Sequence, residues 1–198
     1  MIVKNILTVL IFTVMVAGQG PGGKPYPIDV NHSTVGFSVP IMEGLSKVSG
    51  KFTDFNITLN NDDKDVTKSS VSVVIKSASI NTGIPARDKH LSSADFFDVE
   101  KFPEITFNST RIEKKGSQFV AVGPLTMHGV TKEVELPFSV IGPKINQAAK
   151  KMTLGYSARL TINRKDFGIN WEHKTVPNFV GDNVDIEISL ITRALDAP

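Results

Sequence analysis

Arg87-Asp88-Lys89-His90-Leu91-Ser92-Ser93-Ala94-Asp95-Phe96-Phe97 is a compact amphipathic stretch set between long runs in which apolar and polar residues alternate. Leu91, Ala94 and Phe97 recur at three-residue spacing and share one face of a helix, while Arg87, Asp88 and Lys89 load its first turn with charge. A single helix among period-two runs predicts a helix laid on a sheet or across the mouth of a barrel.

Outward from this stretch the alternation repeats in about eight runs separated by turn residues, the signal of an antiparallel all-β domain with one or two short helices. The first holds Val35, Phe37, Val39 and Ile41; the second Val48, Gly50 and Phe52, then Phe55, Ile57 and Leu59; the third Val71, Val73 and Ile75. The step from Phe52 to Phe55 breaks parity, and a β-bulge near Thr53-Asp54 would restore it. Beyond the helix come Ile105 and Phe107, then Phe119, Ala121, Gly123, Leu125 and Met127, with a turn near Lys114-Lys115-Gly116 between them. His128-Gly129 turns into Val134, Leu136, Phe138 and Val140. Two further runs carry Met152, Leu154, Tyr156, Ala158, Leu160 and Ile162, then Val184, Ile186, Ile188 and Leu190. Pro124 and Pro137 cannot donate to a ladder, so each belongs at a bulge, near a rim or where its nitrogen faces outward. About eight strands with one apolar face each suit a lipocalin-like closed barrel; a two-sheet sandwich gives the same periodicity.

The ends and the composition bound the rest. Residues 1–18 read as a secretory signal peptide: Lys4, an apolar Ile6–Val16, then Ala17-Gly18 before a cut. The apolar run is shorter than the roughly 20 residues that span a bilayer, so no transmembrane segment is expected after cleavage. Residues 19–26 form a Gly- and Pro-rich linker, and 27–195 one domain, in a periplasmic or secreted protein. With no cysteine there is no disulfide, lipid-modified cysteine or thiolate nucleophile, so stability rests on the core. Lys and Arg are scattered and the net charge is +2, which gives nucleic acid no electrostatic footprint. Asn31, Asn56 and Asn108 head Asn-x-Ser/Thr triplets, which matter only in a eukaryotic secretory pathway.

Enzyme signatures are missing: there is no nucleophile elbow, no helical histidine pair and no phosphate-cradling glycine loop. No enzymatic activity, cofactor or metal is expected. His32, His90, His128 and His173 are far apart; His128 reads as a turn residue and His90 as a helix residue bonded to nearby backbone. Catalysis would need Arg87, Asp88, His90 and Asp166 to converge. Arg87, Asp88 and Asp95 read in two ways: a head-group site, since Arg offers a fork of donors, or an anchor in which Asp88 meets the helix dipole and Arg87 with Asp95 ties the helix to the rim. The twelve Phe against two Tyr and one Trp point to an oily interior. Phe37, Phe52, Phe55, Phe107, Phe119 and Phe138 fall on the inward parity, either as ordinary core or as the wall of an apolar tunnel.

Nearly the whole mature chain, from Tyr26 to Ile188, resembles the YceI-like family of secreted polyisoprenoid-binding proteins. The resemblance is carried in order by Tyr26-Pro27-Ile28-Asp29, His32 to Phe37, Gly50 to Phe55, the Arg87 to Phe97 stretch, Phe102 to Thr110, Gly123 to Lys132, and Arg164 to Ile169. It implies a barrel that carries a long-chain amphiphile such as a polyisoprenoid or isoprenoid quinone, without catalytic residues. The inward residues then line the pocket: Phe37, Val39, Phe52, Phe55, Ile57, Phe107, Leu125, Met127, Leu136, Phe138, Tyr156 and Leu160, with Arg87, Asp88, His90, Leu91 and Asp95 at the rim. Exposed strand edges would permit a homodimer if the barrel is imperfectly closed, and a ligand-free structural or protein-interaction barrel is the rival reading.

Overall fold

The computed structural model describes residues 23–148 and 150–196; the signal peptide and its cleavage site lie outside the described residues. Thirteen strands among these residues form one antiparallel sheet curled into a half-barrel. They are β1 (Lys24–Tyr26), β2 (Thr34–Ile41), β3 (Ser46–Phe52), β4 (Phe55–Asn61), β5 (Ser70–Lys76), β6 (Ile80–Asn81), β7 (Glu104–Asn108), β8 (Arg111–Lys115), β9 (Gln118–Met127), β10 (Val130–Asn146), β11 (Lys151–Asn163), β12 (Asn183–Ile191) and β13 (Leu195–Asp196). The helix α1 (Pro85–Ser92) follows β6.

The order is β1-β4-β5-β7-β9-β10-β11-β12-β2-β3-β6, with β8 on β9 and β13 on β11. β3 and β4 thus stand near opposite ends of the sheet although only Thr53-Asp54 separates them. The anticipated bulge in one strand is instead a corner between two. Thr53 donates its N–H to Ser79 O at 3.1 Å and Asp54 O accepts from Lys76 N–H at 3.0 Å, so the corner is hydrogen-bonded on both sides. This bend curls the sheet. Lys24–Tyr26, read as part of the linker, is a strand: it pairs with Leu59–Asn61.

Two glycines sit where side chains would collide. A Cβ at Gly123 would lie 2.0 Å from Asn108 O, at the point where β9 changes partner from β8 to β7. At Gly50 it would meet the ring of Phe37, its cross-strand neighbour, at 2.6 Å and Thr82 at 2.8 Å. Neither proline interrupts a ladder. Pro124 lies one residue past the last β7–β9 pair, Phe107 with Leu125, and Pro137 one residue past the last β10–β11 pair, Phe138 with Ala158.

β8 escapes the periodicity because Arg-Ile-Glu-Lys-Lys has one apolar residue, Ile112. Its charged face has a use. Arg111 and Glu135 flank Val122 in register, and Arg111–Glu113 (2.7 Å), Arg111–Glu133 (3.8 Å) and Lys115–Glu135 (2.8 Å) ion pairs run along and across this face. The long aliphatic stems cover the outer face of β9, leaving Val122 1% and Val120 4% exposed although both point away from the lumen.

Candidate functional site

Inside the curl lies an apolar cavity of about 420 Å³, within the range of small-molecule sites. It runs along the barrel axis. Val39, Ile75, Met127 and Ile162 stand towards the α1 end, and Val35, Val73, Leu136 and Ile188 lie deeper. Inward residues such as Leu136, Leu160, Ile186 and Ile188 remain half-exposed because they face this space and not one another. Of the inward phenylalanines, Phe37, Phe52 and Phe107 face this space, while Phe55 and Phe119 pack against the core.

Of the residues read as pocket lining, Phe37, Val39, Phe52, Phe107, Leu125, Met127, Leu136 and Leu160 border this cavity. Ile57, Phe138 and Tyr156 border instead a second, deeper cavity of about 60 Å³, on which Leu136 also opens. Phe55 borders neither and packs against the core beside the corner. The deep end is polar. Tyr156 donates to Asn61 Oδ1 at 3.3 Å, Asn61 donates to Asp63 at 3.2 Å, and Asp63 also accepts a very short bond from the Tyr26 hydroxyl. Burial pushes the Tyr26 phenol up to about 12, with Asp63 adding to the shift, and burial raises Tyr156 further. Asp63 is held below the usual carboxylate range, chiefly by the Tyr26 bond.

At the other end α1 crosses the lumen, and its Arg87, His90 and Leu91 border the cavity. The helix is shorter than the periodicity implied: Pro85 opens it and it ends at Ser92, so Ala94 and Phe97 lie in the following turns. Phe96 is the buried residue there, and Phe97 meets Phe52 edge-on at 5.9 Å between centroids. Arg87 ties the helix down without Asp95. Arg87 donates from Nε to Thr82 Oγ1 at 2.7 Å and from Nη2 to Thr82 O at 3.0 Å. Asp88 accepts from Thr82 N–H at 2.8 Å and from the Thr82 hydroxyl, which latches the first turn to β6. Asp95 bonds His90 Nε2 at 2.9 Å, so His90 is held by a carboxylate and not by backbone. Asp88 and Asp95 hold the helix from outside the cavity wall.

Sequence reasoning missed the side chain that builds this end. Arg164 is 3% exposed and borders the cavity. Its guanidinium donates to Gly181 O (3.0 Å), Ile169 O (2.9 Å), Trp171 O (3.0 Å), Val180 O (3.2 Å) and Asp182 Oδ1 (3.1 Å). It thereby organises residues 169–182, which carry Trp171 onto Phe96 (5.2 Å) and His90 (5.4 Å) as an aromatic collar. Only its place in the Arg164 to Ile169 marker distinguished this residue in sequence.

Catalytic convergence is not formed. Asp166 pairs with Lys132 at 3.2 Å, while Arg87, Asp88 and His90 are engaged with Thr82 and Asp95. His128 is a turn residue at φ 51° whose ring accompanies Phe102, 4.6 Å away. Among the described residues no group of three His, Asp or Glu is placed to hold a metal, and no helix is long and apolar enough to cross a membrane.

The match to known proteins follows the same frame. The model of the YceI-like domain matches residues 26–192. Protein YceI of Escherichia coli O157:H7 is 34% identical over 189 residues, covering 94% of this chain and 96% of its own. In structure, BcnA of Burkholderia cenocepacia superposes with a TM-score of 0.75 at 23% identity, over 84% of this chain and 99% of that one. A polyisoprenoid binding domain from Saccharophagus degradans superposes with a TM-score of 0.62 at 16% identity, over 87% and 98%. A domain match from β1 to the residue after β12, joined to a relative of nearly equal length, shows that this chain belongs to the YceI-like family.

Proposed function

We propose that the protein is a non-catalytic carrier for one long-chain amphiphile of the polyisoprenoid or isoprenoid-quinone type, its tail in the lumen and its polar end beside α1. The observation that carries this reading is the elongated apolar lumen lined by half-buried inward side chains. The family membership supports it, as does the likeness to the polyisoprenoid binding domain from Saccharophagus degradans. Each buried methylene contributes about 0.8 kcal/mol, near fourfold in affinity, so apolar contact alone can hold a long chain.

A carrier of this kind works outside the cytoplasm, as the Met1–Gly18 leader suggests. Amino-terminal sequencing of the mature protein is expected to begin at Gln19; a start at Met1 would remove the periplasmic or secreted assignment. Solvent extraction of the protein from its native source, followed by mass spectrometry, is expected to release near-stoichiometric long-chain lipid. Protein that is empty and also refuses added prenyl lipids would overturn the carrier reading in favour of a ligand-free structural barrel.

A further inference from the structure

The two cavities are not independent. Val73 on β5, Leu136 on β10 and Ile188 on β12 border both, so three side chains from separate parts of the wall form a waist between them. Beyond the waist the inward positions on β9 and β11 become small: Ala121 and Ala158 border the deeper cavity, among Ile, Leu, Phe and Tyr neighbours. That chamber ends on Asn61 and Tyr156, which are hydrogen-bonded to each other and gain nothing from an apolar chain end.

We propose that the ligand's tail threads the Val73–Leu136–Ile188 waist and ends in the chamber kept open by Ala121 and Ala158, which makes that chamber the determinant of chain length. The inference rests on the carrier reading and adds a specificity element to it. Leu136 is only partly buried, so it has room to yield as a chain passes. Affinity then rises with each added methylene until the tail meets the Asn61–Tyr156 floor, and stops rising there.

The test is binding of linear prenyl alcohols of increasing length, geraniol upwards, to the mature protein and two variants. For the wild type, affinity should climb by about fourfold per buried methylene and then plateau. Ala158→Leu fills the deep chamber without touching the larger cavity, and should move the plateau to shorter chains while short alcohols bind as before. Ala121→Leu fills the same chamber from β9 and should likewise move the plateau to shorter chains, which keeps the inference decidable if Ala158→Leu does not fold. Binding that plateaus at the same length in the wild type and every folded variant would overturn the chain-length role and leave the carrier reading intact. Absence of binding by any alcohol to the wild type would overturn both.

Discussion

Arg164 shows how little of a buried charge is visible one residue at a time. Nothing in Asn163-Arg164-Lys165-Asp166 distinguishes Arg164 from its exposed neighbour Lys165, because its acceptors are carbonyls between Ile169 and Gly181 and the Asp182 carboxylate, which only folding gathers. Arg164→Ala leaves those carbonyls without a donor, and should cost about 3–5 kcal/mol in chemical unfolding. Arg164→Lys should recover only part, since an ammonium cannot reproduce the planar fork. The tyrosines offer a second readout, because Tyr26 and Tyr156 are the only two in the chain. Both are held protonated in the folded state, Tyr26 up to about 12. Their contribution to stability is whole below the ordinary tyrosine value near pH 10 and is lost as pH rises from there through about 12. Ultraviolet titration should show little phenolate at pH ~10 in the native protein and each group about half ionised at the same pH once it unfolds. Normal ionisation of one tyrosine in folded protein would contradict the buried Tyr26–Asp63–Asn61–Tyr156 chain.

At the scale of elements, period-two alternation located the strands whose outer face is polar, and failed where another physical effect intervened. β2, β5, β7, β11 and β12 follow the inward parity read from their sequences. β9 follows it too, with Ala121, Leu125 and Met127 facing the cavities, but its outer face is also buried because ion-paired stems on β8 and β10 cover Val120 and Val122. The Phe52 to Phe55 step looked like a bulge because parity records a lost residue but not which strand the chain pairs with next. The helix was overextended because Leu91, Ala94 and Phe97 keep a helical spacing while the chain turns out of the helix at Ser93. Gly123→Ala places a methyl against backbone that cannot give way, and should cost at least about 1–3 kcal/mol in thermal unfolding. Asp88→Ala removes the acceptor for the Thr82 N–H and hydroxyl, and should loosen α1 by about 1–3 kcal/mol. Amide exchange would detect this as faster exchange at Thr82 and along α1, with β9 to β11 unchanged.

For the whole molecule, the antiparallel barrel class was legible from alternation, and the open lumen was not. An inward Leu that fills a core and an inward Leu that faces a cavity obey the same period; only the curvature imposed at Thr53-Asp54 and the small residues Ala121 and Ala158 decide between them. A chain bound in the lumen packs against its apolar lining, so it should stabilise the fold. At a free ligand concentration of about 100 times Kd the gain should be about 2.7 kcal/mol, read as a rise in unfolding temperature. Pairing of β2 with β12, which sets Val35 opposite Ile188, has a consequence of a different kind. The partners lie far apart in sequence, whereas β2 with β3, β9 with β10 and β10 with β11 join neighbours, so this seam closes the longest loop of the wall and should form after the hairpins. Until that seam closes, β2 and β12 each keep one edge unpaired, and the refolding chain spends its last step with an open wall.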